Sequence, residues 1–409
     1  MSDAPVQLSF GGPALDGTSS QVLSPLWKPK DSLASDRVIS GFALLGNIDT
    51  AYSADGHLSV GVAKGVNISA VELVSELEPI LTSISEVWGT PLIDYSVTLQ
   101  PVNLENRSTL AGTAFPGGFA AAATPDIDSG CLTGFLTHEA AHEWIPNQLG
   151  RPEFEGSGRE PEGYWISEGF TQMLSRKAQL KSGSIDRDGY KALINEDLRE
   201  LYMSPVREFT NAQIGDMFWS HHEVERLPYL RGFLLAAKWD HEINLASKGQ
   251  RDMIDVLKAI EANHKASENG AILSQEIVIK YAEEMGTKTP QVDIDKFIIA
   301  GKIFEPTSDM LGPDAALIET EFAPYDTGFD SDKTLETGIL TSVKENSSAY
   351  RAGLRNGMAF ISKMSGGGGD TEVPLVMQVE HNGEPIEISY IPIADETVKV
   401  PQFQKRIKK

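Results

Sequence analysis

The chain is short of several things, and each shortage narrows what it can be. It has one cysteine, Cys131, among 409 residues, so an intrachain disulfide is excluded. A lone thiol beside a helix start is expected to be a small buried hydrophobe. No window of about 18 apolar residues occurs, so no segment is expected to span a bilayer. Positive charge is scarce: 35 Lys plus Arg stand against 58 Asp plus Glu, a formal charge of −23. That surface repels phosphate backbones and anionic headgroups, which argues against nucleic acid and against membrane insertion. The opening stretch MSDAPVQLSF lacks the basic region and apolar run of a secretion signal. A soluble protein of unknown compartment is expected, with a periplasmic or secreted location open if a signal was removed. The N-x-S/T triplets at Asn67, Asn106 and Asn346 carry no weight without a known secretory setting. No internal repeat is visible, and nothing in the sequence sets an oligomeric state.

What is present is a globular composition, 41% hydrophobic and 23% charged, in a chain too long for one ordinary core. Residues 1–38 are rich in Gly, Pro, Ser and Asp and read as an N-terminal remnant or loop segment. From Gly41 to about Asp128, strand-like and helix-like segments alternate. Ser69 and Glu72 have capping-box spacing, and Leu73, Leu77, Ile80, Ile84 and Val87 follow at helical intervals until Gly89. Pro79 predicts a kink or break inside that run. Tyr95, Val97 and Leu99 alternate as a half-buried strand does. The small, apolar stretch Gly112 to Ala123 (GTAFPGGFAAAA) suits an exposed edge strand or loop that lets another backbone come close. From Gly130 to about Lys302 the pattern is helical, with helices expected over roughly 130–145, 165–181, 188–202, 229–247, 251–263 and 273–285. A polar loop from Pro146 to Gly163 separates the first two. Beyond about Leu311, short runs such as GILTSVK and PIEISYIPI predict a small β-rich domain, with the tetraglycine Gly366 to Gly369 as a flexible turn. The expected domains are therefore 1–38, 39–310 and 311–409.

The chemistry concentrates in THEAAHEW. His138 and His142 are four residues apart, slightly more than one helical turn, so both imidazoles project from one face and can share a metal ion. Glu139 is rotated about a quarter turn from them; it is poorly placed as a ligand but can reach a water on the metal. A catalytic zinc needs a third protein ligand and an open position. Glu168, in YWISEGFT at the start of the next predicted helix, is the best candidate. Glu143 competes, but as the neighbour of His142 it points away from the pair. The expected cofactor is one Zn2+, bound by His138, His142 and Glu168, with Glu139 as the catalytic base.

HEAAHEW followed by WISEGFT resembles the gluzincin zinc metallopeptidases, whose third ligand is the Glu of a W-x-x-E-G-F-type helix. Two branches lie close: the alanyl aminopeptidase and leukotriene hydrolase family, and the glycyl aminopeptidase family with its C-terminal PDZ domain. Thr171 after Gly169-Phe170, and the long loop between the helices, look more like the glycyl aminopeptidase branch. The resemblance covers roughly Gly41 to the C-terminus. It implies an α+β fold: a thermolysin-like catalytic domain with a mixed-sheet upper lobe and a helical lower lobe, plus a small PDZ-like domain. LPYLRGFLLAAKWD resembles the P-Y-x-K-G segment in which a Tyr hydroxyl stabilises the tetrahedral intermediate. The matching position is Tyr229, and Arg231 stands where Lys is usual, which keeps the charge but not the geometry. GILTSVKENSSAYRAGLRNGM looks like the strand, short helix and turn of a PDZ module, but the second helix that walls its groove is missing or reduced. Met358 stands where an acidic residue is common.

The resemblance implies a peptide substrate and an aminopeptidase that releases small N-terminal residues. The alanyl branch holds a substrate amine with a Glu of a G-x-M-E-N-type edge segment, and Gly112 to Ala123 contains no carboxylate. Endopeptidase action on flexible peptides, and a non-catalytic peptide-binding scaffold, are the alternatives. Epoxide hydrolysis has no supporting residue. His221 and His222, just before Tyr229, read as a solvated loop pair. His57, His241, His264 and His381 have no partner at metal spacing.

Overall fold

A computed structural model describes residues 21–23, 44–103, 109–115, 117–268, 270–366 and 371–406. Most of the 1–38 segment, Asn106, and the tetraglycine beyond Gly366 lie outside these residues. The chain divides into two compact units, one made of 1–103, 108–317 and 403–409, the other of 104–107 and 318–402.

In the first unit a short antiparallel pair, β1 (Gln21–Leu23) and β2 (Leu44–Gly46), precedes a five-stranded mixed sheet. The sheet contains β3 (Ile48–Tyr52), β4 (Leu58–Ala63), β5 (Tyr95–Pro101), β6 (Leu110–Phe115) and β7 (Gly118–Ala123), in the order β3-β4-β5-β7-β6. The β4–β5 and β5–β7 pairings are parallel; β3–β4 and β6–β7 are antiparallel. The central strands bury Val60, Val97 and Leu99 completely. The edge-strand expectation for the glycine-rich stretch holds for β6, whose middle residues are exposed. Gly112 is required there, since a Cβ would collide with the Phe119 ring. Helix α1 (Ala70–Trp88) is opened by the capping box of Ser69 and Glu72 and closed by Gly89 at φ 82°. It runs on through Pro79, so the break that the sequence allowed for does not occur. Leu77, Ile80, Leu81 and Ile84 flank that residue and are buried, so packing outweighs the roughly 3 kcal/mol cost of an interior proline.

The helical part follows: α2 (Ser129–Ala141), α3 (Tyr164–Ser182), α4 (Arg187–Met203), α5 (Asn211–Met217), α6 (His222–Ala246), α7 (Met253–Ala266) and α8 (Gln275–Met285). Helix α2 stops four residues before its expected end, with His142 as C-cap and turns running on to Leu149. Helix α6 begins seven residues earlier than expected, so Tyr229 lies in its third turn rather than at its start. Cys131 is exposed in the first turn of α2, correcting the expectation of a buried thiol. The reason is position: only the later turns of α2, at Leu132, Leu136 and Ala140, reach the core.

Helices α3 and α6 pack with almost no space between their backbones. A Cβ on Gly169 would run into the backbone of Gly232, and one on Gly232 into the carbonyl of Trp165. This close approach brings Tyr229, one turn before Gly232, beside Glu168. The buried pair Arg176–Asp197 links α3 to α4.

The second unit holds a three-stranded antiparallel sheet of β8 (Ala359–Ser365), β9 (Leu375–His381) and β10 (Glu384–Tyr390), in that order. Leu340, Leu354, Met358, Met377, Val379 and Ile388 form its core. GILTSVK is not the expected strand. Ser342 takes φ 54°, and the segment's backbone is satisfied by loop partners, such as Val343 N–H donating to Asn356, leaving one isolated bridge from Ile339 to Ala359. PIEISYIPI does supply β10. Among the described residues no helix lies between β8 and β9. No helix of the described residues is long and apolar enough to cross a membrane.

Candidate metal centre and catalytic site

Helix α2 brings His138 in its last turn and His142 at its C-cap to one side, with ring centroids 4.8 Å apart. Helix α3 delivers Glu168 one turn from its start. Glu168 Oε2 lies 3.2 Å from His138 Nε2 and 3.2 Å from His142 Nε2. The other carboxylate oxygen accepts from the Ser167 hydroxyl at 3.3 Å.

Each imidazole is oriented from behind. His142 Nδ1 lies 2.8 Å from the carbonyl of Ile145. A carbonyl only accepts, so Nδ1 carries the proton and the lone pair of neutral His142 sits on Nε2, toward Glu168. His138 Nδ1 is 2.8 Å from Gln172 Oε1 and is turned the same way. Thr171 also donates to the Ile145 carbonyl, at 3.0 Å, bracing the acceptor that holds His142. Gln172 and Thr171 were not picked out as positioning residues from the sequence. The signal was available for Gln172, which is four residues after Glu168 and so shares its helix face.

The charges interlock. Burial pushes the His142 imidazolium down, but the Glu168 carboxylate and its hydrogen bond outweigh this and raise it to about 9. His138 is held below the ordinary value, chiefly by burial. Burial raises the Glu168 carboxyl, yet the charge of His142 and hydrogen bonds from both histidines hold it well below the usual carboxylate range. In the metal-free protein the shared proton therefore sits on His142. Glu139 is raised to about 7, mainly by burial and further by Glu168, against the opposing charge of His142.

The three donor atoms lie within 4.8 Å of one another and could hold one metal ion. The donor set, two imidazole nitrogens and a carboxylate oxygen, suits zinc. Zinc–ligand distances of about 2.0–2.1 Å in a tetrahedron place ligand atoms about 3.3–3.4 Å apart, close to the two 3.2 Å separations observed. The residues fit the ion.

Tyr229 reaches the same place from α6. Its ring lies 5.6 Å from that of His138 and 5.5 Å from the Arg226 guanidinium, which is paired with Glu200. Burial, and then the carboxylates of Glu168 and Glu139, push its hydroxyl far above the ordinary phenol range, so it is a proton donor at any working pH. Arg231 is 1% exposed and donates to the carbonyls of Phe209 at 2.7 Å and Arg207 at 2.8 Å. Its guanidinium fork is spent on backbone. Glu143 accepts the Gly117 N–H at 2.8 Å, at the turn between β6 and β7, consistent with its exclusion as a ligand.

Among the remaining histidines, His57 contacts Asp94 at 2.9 Å, His241 lies 3.3 Å from Asp309, and His264 accepts the Ala271 N–H. His221 is exposed and caps α6.

Residues 132–220, which include both histidines, Glu139 and Glu168, match the family model of the M61 glycyl aminopeptidases. The expected kinship with the glycyl aminopeptidase branch is met over that segment; Tyr229 lies outside it. No curated protein matches the chain. Among solved structures, an aminopeptidase N family protein from Idiomarina loihiensis is similar over 94% of this chain and 75% of its own, with 14% identity and a TM-score of 0.64. The two share a mixed α+β fold. An M1 zinc metallopeptidase from Deinococcus radiodurans is similar over 70% of this chain and 62% of its own, at 16% identity and a TM-score of 0.46. A yeast LTA4 hydrolase is similar over 70% of this chain and 46% of its own, at 13% identity and a TM-score of 0.48.

Proposed function

We propose that the protein is a zinc-dependent peptidase in which His138, His142 and Glu168 hold one ion, Glu139 is the general base and Tyr229 stabilises the oxyanion. One observation carries this reading: a single carboxylate oxygen stands 3.2 Å from the Nε2 atoms of two imidazoles whose Nδ1 atoms are tied down elsewhere. The M61 match over residues 132–220 supports a peptide bond as the target.

Zinc, when bound, acidifies a water and polarises the scissile carbonyl. Glu139 takes the proton of the attacking water and passes it to the departing amine. The Tyr229 hydroxyl donates to the oxygen of the carbonyl as negative charge develops there. The exposed edge strand β6 is placed to align with an extended peptide.

On this reading the enzyme is an aminopeptidase that releases small N-terminal residues, within a thermolysin-like gluzincin domain over residues 39–310. Residues 311–409 form a PDZ-like domain in which, among the described residues, no helix lies between the first two strands of its sheet. A second reading, endopeptidase action on flexible peptides, is favoured by the lack of any carboxylate between Gly112 and Ala123 to hold a free amine.

The test is a peptide library with free and acetylated N-termini, assayed with and without a chelator. Chelator-sensitive cleavage of the free set alone is expected, with Glu139→Gln inactive but still zinc-loaded. Cleavage of both sets selects the endopeptidase. Full activity of Glu139→Gln removes the assigned base.

A further inference from the structure

Beyond the groups that do chemistry, an aromatic ladder climbs out of the same helix. Tyr164 is the first residue of α3, four before Glu168, so the two side chains share a helix face. The Phe218 ring stacks edge-on against Tyr164 at 5.1 Å, and the Trp219 ring stacks edge-on against Phe218 at 4.9 Å. Phe218 is 5% exposed and acts as the fixed rung. Trp219 is 75% exposed, in the short helical turn Phe218–Ser220 that leads into α6, the helix carrying Tyr229.

That exposure needs a reason. The other tryptophans of the described residues, Trp88, Trp144, Trp165 and Trp239, are at most 3% exposed. A large aromatic left in water forgoes the free energy that its burial would give, and a substrate side chain laid on it would recover part of that. Its footing on the metal-facing side of α3 points to such a side chain. We propose that Trp219 is a specificity platform of the peptide cleft, stacking an apolar or aromatic substrate side chain next to the scissile bond. The inference rests on the peptidase reading and adds to it a preference that the reaction machinery does not dictate.

The experiment uses two series of free-amine peptides, each varying one residue beside the scissile bond from Ala to Phe. At the position after the scissile bond, the released residue being small, the Phe:Ala ratio of kcat/KM should exceed unity in the wild type. It should fall about tenfold in Trp219→Ala, the size expected for losing one stacked aromatic contact, and largely recover in Trp219→Phe. A second readout is tryptophan emission in the Glu139→Gln protein. The Phe peptide should shift it to the blue and shield it from acrylamide, and Trp219→Phe in the same background should abolish both changes. An unchanged ratio at that position in a Trp219→Ala enzyme that still cleaves peptides overturns the platform. A wild-type protein that cleaves neither series sinks the peptidase reading, and the platform with it, so the two failures are distinct.

Discussion

Tyr229 is where a single atom has the most to answer for. Its hydroxyl is kept protonated by burial and two neighbouring carboxylates, so removing it deletes a donor and little packing. Tyr229→Phe should lower kcat by about 10²–10³, as for loss of one oxyanion donor, with zinc content unchanged. Steady-state kinetics beside metal analysis checks both. His142 gives the second expectation. In the metal-free protein its imidazolium survives to about pH 9, and a proton there blocks the nitrogen that must bind zinc. The competing proton is fully present below that value and lost as pH rises through it. Apparent zinc affinity should therefore climb about tenfold per pH unit between about pH 6 and 8, measured by competition with a chelator of known pH dependence. At this scale much was legible in the chain. Two histidines four apart and a carboxylate on the next helix follow from helical spacing and the needs of a metal. The Ile145 carbonyl behind His142 was not legible, because a backbone atom in a turn leaves no side-chain signature.

The helices put these residues together, and two glycines set the fit. Gly232→Ala would push its new Cβ into the carbonyl of Trp165, forcing α6 away from α3 and Tyr229 away from Glu168. Overpacking of this kind costs about 1–3 kcal/mol, and a displacement near 1 Å can cost about 10² in rate. The variant should thus lose a few degrees of Tm but most of its kcat. Thermal unfolding compared with kinetics separates the two effects. The sequence pattern found the helices that became α1 to α4, α7 and α8, most plainly α1, α7 and α8, whose apolar residues fall on one stripe. It placed the start of α6 seven residues late; the helix begins at His222 and runs through Pro228. It also missed α5, a seven-residue helix too short to show a period. Pro79 in α1 shows the same thing: its buried neighbours Leu77, Ile80, Leu81 and Ile84 hold the helix, and local propensity yields. GILTSVK erred the other way, a β-like composition whose backbone bonds are taken up by turns.

Across the whole molecule, a formal charge of −23 surrounds a site meant for peptides. Such a field draws in cationic substrates and holds off acidic ones, and salt screens it over about 8 Å at physiological ionic strength. The kcat/KM for Lys-bearing peptides should fall several-fold as salt is raised from about 0.02 to 0.3 M, while that for Asp-bearing peptides should rise. Equal salt dependence for both would show that the field does not reach the site. Composition alone excluded poor partners; it did not reveal the substrate, because net charge is a property of the surface and specificity one of a few buried contacts. The account as a whole depends on three side chains meeting at one ion. X-ray absorption at the zinc edge of the purified protein tests this most directly. The expected signal is one zinc per chain with two imidazole nitrogens and carboxylate and solvent oxygens at about 2.0–2.1 Å, and no sulfur. A sulfur shell near 2.3 Å, bringing in Cys131, or a protein that retains no zinc, would contradict it.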